Sequence, residues 1–281
     1  MIPPAGASAA GRGRAGTGAG RLAAARDIGE RDIGGLLFAA EMYGVQLDHL
    51  AIVLGVSEAR ARAIVAGWRD RRLADSARLG PGASWIWLTR AGLASCGLAY
   101  SPAAPPALAR LAHIRAVTAA RLALESASDY AAGGAYWRSE RRLRARSGGR
   151  VGLREHFPDG EVHWPSEAAV AWAGECWAIE AELTRKTVSR TAAIMRELLT
   201  RTGDYGCPAA EARVPGKPAR HARVLYVCAP AAVPTVARAR DALGSASVRI
   251  EIRSLPPDAA LPPPTGLHVR PARTAAEGAA T

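Results

Sequence analysis

The sequence predicts an α/β, multi-domain chain: an N-terminal winged helix-turn-helix followed by a separate α/β domain. Three observations carry that expectation. Between Asp27 and Tyr100 three helix-period patterns run into a hairpin signal. From Ala107 onward, helix and strand patterns alternate. Between them lies Ser101-Pro102-Ala103-Ala104-Pro105-Pro106, where proline stops helices and stiffens the chain as a linker does. The expected organisation is therefore a disordered basic arm at 1–27, a winged helix at 28–100, a Pro-rich linker at 101–107, an α/β domain at 108–255 and a disordered tail at 256–281.

In the first domain, Ile33, Leu36, Leu37 and Ala40 share one face of a helix over about 31–43. A short helix is expected over 46–54. Leu54-Gly55-Val56-Ser57 is the turn: Gly ends one helix, Val plugs the core and Ser caps the next. The third helix, about 58–73, turns Ile64, Val65, Trp68 and Leu73 inward. Arg60, Arg62, Arg69, Arg71 and Arg72 form its basic surface. Strands at 74–79 and 84–88 flank Gly80-Pro81-Gly82, and Thr89 caps a closing helix through Leu98. Such a third helix would enter the major groove while the hairpin touches phosphates. The competing use of the same plan is protein docking.

In the second domain, helices are expected at 108–125, with His113, and at 136–146. The latter carries Arg138, Arg141, Arg142, Arg144 and Arg146, and Arg138, Arg141, Arg142 and Arg144 are expected, with Lys186, to grip DNA. Strands are expected at 161–164, 168–172 and 176–183. Thr184 should cap a helix to about Thr200, and strand, helix, strand follow at 223–228, 233–243 and 248–253.

Net charge is +12, with 37 basic against 25 acidic residues, and points to a polyanionic partner. The expected partner is double-stranded DNA, with a homodimer or replication and transfer proteins as further partners. The four cysteines are far apart, form no C-x-x-C, and read as small buried hydrophobes of a reduced cytoplasm. No window approaches the ~20 apolar residues of a membrane span, so a cytoplasmic protein without membrane contact is expected. No Walker-type phosphate loop is present, which speaks against ATP use.

The chemistry concentrates in His156-Phe157-Pro158-Asp159-Gly160 and Glu180-Ala181-Glu182-Leu183-Thr184-Arg185-Lys186. Only Lys186 and Lys217 among the basic residues are lysine. Lysine is a compact point charge that can lose its proton when desolvated, and arginine cannot. Along a strand, Glu180 and Glu182 share one face. Carboxylates around a divalent ion polarise a phosphoryl oxygen and activate water. Asp159, Glu180 and Glu182 are suitable donors for Mg²⁺ if the Pro-Asp turn lies beside that strand, with Lys186 orienting water or phosphate from the next helix. The bland alternative is a solvated strand face and a Pro-Asp-Gly hairpin turn. His156 reads as a turn residue with a general base as its other role, and His113 as a packing residue. His163 and His221 show no constellation.

Several of these motifs occur together in order. They are Trp87-Leu88-Thr89-x-x-Gly92, a helix with His113, Trp137-x-Ser139-Glu140, Pro158-Asp159-Gly160, Glu180-x-Glu182-Leu183-Thr184-x-Lys186, and Val224-Leu225-Tyr226-Val227. In this the chain resembles the replication-relaxation family of actinobacterial plasmids and integrated mobile elements, over roughly residues 28–255. That family is associated with plasmid replication and DNA relaxation, and its second domain is similar to the PD-(D/E)xK nuclease fold. The resemblance implies a restriction-endonuclease-like domain with Asp159 as the first acid and Glu180 as the central acid. Those two would be the metal ligands. The family pattern puts lysine where this chain has Glu182, and Lys186 would substitute from one turn onward. The expected function is a DNA-binding protein of a plasmid or mobile element. The alternatives are a transcriptional regulator with a dimerising or sensing α/β domain, and an active Mg-dependent endonuclease.

Overall fold

The computed structural model describes residues 29–101, 103–147, 155–205, 214–256 and 259. The expected basic arm, and all of the expected tail but Pro256 and Ala259, lie outside the described residues. The protein is mixed α/β with two sheets. No described helix is long and apolar enough to cross a membrane.

Helices α1 (Glu30–Glu41), α2 (Leu47–Leu54) and α3 (Glu58–Asp70) come first. Gly55 leaves α2 in the left-handed region at φ 63°, and Ser57 Oγ accepts the Arg60 N–H to cap α3. Strands β2 (Ala74–Ala77) and β3 (Trp85–Leu88) form the expected hairpin, and Thr89 Oγ1 accepts the Gly92 N–H to cap α4 (Arg90–Ser95). Gly92 is obligatory there. A Cβ on it would stand 1.8 Å from the Leu73 carbonyl oxygen. A two-residue strand, β1 (Val45–Gln46), adds to β3, giving an antiparallel sheet ordered β1-β3-β2. Two residues are too few for alternation to show in sequence.

The second sheet is ordered β4-β5-β6-β7-β8: β4 (Tyr136–Ser139), β5 (Gly160–His163), β6 (Cys176–Glu182), β7 (Arg223–Cys228) and β8 (Ile250–Ser254). The first two pairings are antiparallel and the last two parallel. Helix α5 (Leu111–Glu125) covers one face, where Ala116, Val117 and Ala120 share a core with Ile179, Ala181, Leu225 and Val227. Helices α8 (Val188–Thr200) and α9 (Val233–Asp241) cover the other through Met195, Leu198 and Val236. Two shorter helices, α6 (Ser128–Ala132) and α7 (Glu140–Arg146), flank β4.

Three local expectations are corrected. Tyr136–Ser139 is strand, not helix; the helix begins at Glu140, where Ser139 Oγ accepts the Arg142 N–H. Residues 168–172 form turns rather than a strand, held by bonds such as Ala168 N–H to Pro165 O. The cap of α8 is Thr187, whose hydroxyl accepts the Arg190 N–H, so Lys186 lies before the helix rather than in its first turn.

The two sheet regions are not held apart. One apolar cluster runs from Leu36 and Leu50 through Val117 to Ile179. Polar contacts stitch the same seam. Arg115 on α5 pairs with Asp48 at 2.8 Å, Glu41 accepts from Ser139 and Tyr100, and Arg141 donates to Ala40 O at 2.8 Å. Within the expected linker Ala104 and Pro105 are exposed, but Pro106 is buried against Gly44.

Candidate functional site

Extending the register Gly160↔Ile179 by one residue puts Asp159 opposite Glu180 across the β5–β6 pair. Side-chain geometry agrees: Asp159 Oδ2 accepts the Ala181 N–H at 2.8 Å. Glu180 and Glu182 then project from the same face of β6. Both are buried, at 3% and 4% exposed, which removes the solvated-face alternative. Gly160 follows Asp159 for a packing reason. The Trp137 ring lies where a Cβ would be, 2.0 Å from Cζ2.

Each acid has a basic partner. Asp159 Oδ1 meets His113 Nε2 at 2.8 Å, Glu180 Oε1 meets His156 Nε2 at 2.7 Å, and Glu182 pairs with Lys186. Arg110 and Arg144 converge on Glu140 beside His113, at 2.9 and 2.7 Å. Glu140 and Arg144 thus pair at i, i+4, and a small pocket lined by Glu41, Arg110, His113, Glu140 and Asp159 leads to the acid.

Ionisation differs between the acids. Burial pushes the Glu180 carboxyl up, and His156 opposes without cancelling it. Burial would raise Asp159 too, although it is less enclosed than Glu180, yet the His113 hydrogen bond and charge, with the Ala181 N–H, hold it below the usual carboxylate range. Burial lowers both imidazoles, but Asp159 raises His113 and Glu180 raises His156, and the net direction for each is up. Tyr226 pairs in register with Glu180, and its buried hydroxyl has no hydrogen-bond partner among the described residues. Burial and the nearby Glu180 and Glu182 push that phenol well above its ordinary value. Asp159, Glu180 and Glu182 do not form a triple with ligand atoms all within 4.8 Å; among the described residues Glu161, Cys176 and His221 do.

Glu161 lies two residues beyond Asp159, as the second residue of β5. It is fully buried and accepts from Arg220 at 2.7 and 3.0 Å, from His163 at 2.8 Å and from His221 at 2.9 Å. Burial alone would raise this carboxyl; these donors hold it far below its usual range. His163 and His221, which showed no constellation in sequence, therefore converge.

The basic residues divide. Arg60, Arg62, Arg69, Arg71 and Arg72 are all exposed on or just after α3, and Arg69, Arg72 and Arg90 line a shallow groove there. Arg142 and Arg144 are exposed on α7 and Arg138 is half-buried on β4. Arg141 is a correction. It is 6% exposed and its guanidinium lies over Tyr43 and Tyr100, at 4.9 and 5.1 Å, so it belongs to the seam and not to a DNA-facing surface.

Sequence reasoning put His113 down to packing and His156 to a turn. The missing information is distance along the chain: their acids are 46 and 24 residues away. His163 carried a weak signal, since it shares a strand face with Glu161 at i, i+2. Comparison with known proteins finds no matching family model, no matching curated protein and no matching solved structure.

Proposed function

We propose that this is a DNA-binding protein of a plasmid or integrated mobile element, acting in plasmid replication or DNA relaxation. In this reading α1 to α4 with their hairpin are a winged helix that docks on duplex DNA through the α3 arginines. The second sheet with α5 is a nuclease-like domain. The observation that carries the reading is the meeting of Asp159 and Glu180 within the order α5-α6-β4-α7-β5-β6-α8-β7. Asp159 lies at the start of one strand and Glu180 opposite it on the next. The net charge of +12 supports a nucleic-acid partner.

The donor set fits Mg²⁺ at two residues. Asp159 and Glu180 offer hard oxygens, and the unpartnered Tyr226 hydroxyl leaves a polar atom beside them. A bound ion would polarise a phosphoryl oxygen and lower the pKa of water. The chain's own groups do the rest: His113 orients Asp159, His156 shares a proton with Glu180, and Lys186 neutralises Glu182. Glu182 stands where the family pattern carries lysine, and its charge is already spent on Lys186. The reading is therefore of a domain that grips DNA and holds Mg²⁺ more readily than it cuts.

The test is incubation of supercoiled plasmid with and without Mg²⁺, for wild type, Asp159→Ala and Glu182→Lys. Binding without nicking by wild type, with nicking gained in Glu182→Lys, supports the reading. Mg²⁺-dependent nicking by wild type that Asp159→Ala abolishes establishes the endonuclease instead. Failure of wild type to bind duplex DNA overturns both.

A further inference from the structure

The Glu161 cluster is independent of the proposed DNA site and contains a different donor set. Glu161 Oε, Cys176 Sγ and His221 Nε2 lie within 4.8 Å of one another. His163 Nε2 touches two of the three: it is 2.8 Å from Glu161 and 3.6 Å from Cys176. Sulfur at ~2.3 Å and imidazole nitrogen at ~2.0–2.1 Å from one tetrahedral zinc ion would stand about 3.6 Å apart.

The histidines are also pre-aimed. His221 Nδ1 faces the Leu198 carbonyl oxygen at 3.0 Å, so Nδ1 carries the proton and Nε2 is directed at Glu161. A backbone carbonyl on the far nitrogen is how metal-ligating imidazoles are held. The His163 ring is stacked on Tyr136, 5.1 Å between centroids and 8° from parallel. His221 Nε2 lies 2.9 Å from Glu161 Oε1 and 3.3 Å from the Tyr205 hydroxyl.

We propose that Glu161, His163, Cys176 and His221 form a binding site for a borderline-soft divalent ion, with Zn²⁺ the best match. One sulfur, two imidazoles and one carboxylate are a zinc donor set, unlike the all-oxygen set of Asp159 and Glu180. On binding, the Cys176 thiol loses its proton. Each imidazole N–H···O contact to Glu161 is replaced by N–Zn and Zn–O bonds, and the released protons go to the buffer. Arg220 remains on the carboxylate from outside and orients it. The site ties β5 and β6 to the start of β7.

Full-length protein stripped with a chelator is titrated with Zn²⁺ against a chromophoric chelator, and with Co²⁺ under absorbance. One equivalent should bind, and Co²⁺ should give a thiolate charge-transfer band in the near ultraviolet. Cys176→Ser should remove that band, and His221→Asn should weaken Zn²⁺ affinity by roughly 100-fold, while Cys96→Ser changes neither. If the substituted proteins do not fold, alkylation of Cys176 in wild type, read by mass spectrometry of its peptide, replaces them: Zn²⁺ should slow it at least ~10-fold. Absence of a thiolate band together with unprotected Cys176 overturns the proposal and leaves a purely hydrogen-bonded network around Glu161.

Discussion

The region of α1 to α4 and the region of the second sheet handle charge in opposite ways. In the first, Arg60, Arg62, Arg69, Arg71 and Arg72 stay exposed while Ile64, Val65 and Trp68 turn inward. In the second, Glu161, Glu180, Glu182, Arg141, Arg201 and His221 are all buried. A buried charge costs several kcal/mol unless it is paired, so every carboxylate among these has a basic partner, from a distant segment for Glu161 and Glu180 and four residues on for Glu182. The first region is stabilised chiefly by apolar burial. The second depends on polar pairing, and its chemistry follows from which pairings are saturated. Glu161 has four donor contacts and is held ionised; Glu180 has one imidazole and is pushed toward its neutral form.

That contrast explains what could be read from sequence. The helices of the first region were legible because their apolar residues recur at helical spacing and their caps, Ser57 and Thr89, are local. In the second region, β6 was legible because Glu180 and Glu182 alternate with Ile179 and Ala181. Its partners were not, because Asp159–His113, Glu180–His156 and Glu161–His221 join residues 24 to 60 positions apart. Strand β4 was hidden in a basic run that reads as one helix, and only Ser139 marks the change. Thr184 and Thr187 are equally good caps in sequence, and the tertiary position of Lys186 beside Glu182 goes with the later one.

The largest expected effect tests whether pairing holds the second region. In metal-free buffer, Arg220→Met should cost about 3–5 kcal/mol, because it strips the main donor from a buried carboxylate. Arg62→Ala, at an exposed position on α3, should change stability by no more than ~0.5 kcal/mol. Chemical denaturation of both measures the difference. Equal losses would erase the contrast. The shared core also predicts one cooperative transition for residues 29–255, and a separate early transition for 29–98 would contradict the buried seam.

Glycines sharpen the same comparison. Gly160→Ala should destabilise by about 2–3 kcal/mol, since the new methyl meets the Trp137 ring at 2.0 Å. Gly67→Ala, inside α3 with nothing within 4 Å, should instead stabilise by about 0.5–1 kcal/mol. Thermal melts of the two proteins should shift in opposite directions.

On DNA, the regions should separate by salt dependence. Reversing the charge at Arg60 and Arg62 should lower the slope of log K against log salt by about one unit for each phosphate that the helix no longer neutralises. Arg141→Gln should leave the slope unchanged, because that guanidinium is buried in the seam. Fluorescence anisotropy across a salt series checks both. An unchanged slope for the Arg60 and Arg62 reversal would mean that α3 faces protein rather than DNA.

The smallest effect is on pH dependence, and it should belong to the second region alone. His113 and His156 have folded-state values raised above the ordinary 6.5 by Asp159 and Glu180. A raised histidine contributes stability fully below its unfolded value and loses it as pH rises through the folded one. Glu180 is raised as well, by burial, so its contribution has the same sign. It is present below the ordinary carboxyl value of 4.5 and fades as pH climbs from there. Asp159 is lowered, so its contribution is lost only as pH falls below the ordinary 3.8. Stability should therefore peak on the acid side of neutrality and decline by about 1–2 kcal/mol toward pH 8, each pKa unit being worth about 1.4 kcal/mol. Glu180→Gln should flatten part of that decline, since a neutral amide neither titrates nor raises His156. Reversing Arg60 and Arg62 should leave the profile untouched. A decline that survives Glu180→Gln unchanged would place its origin outside the buried acid and histidine pair.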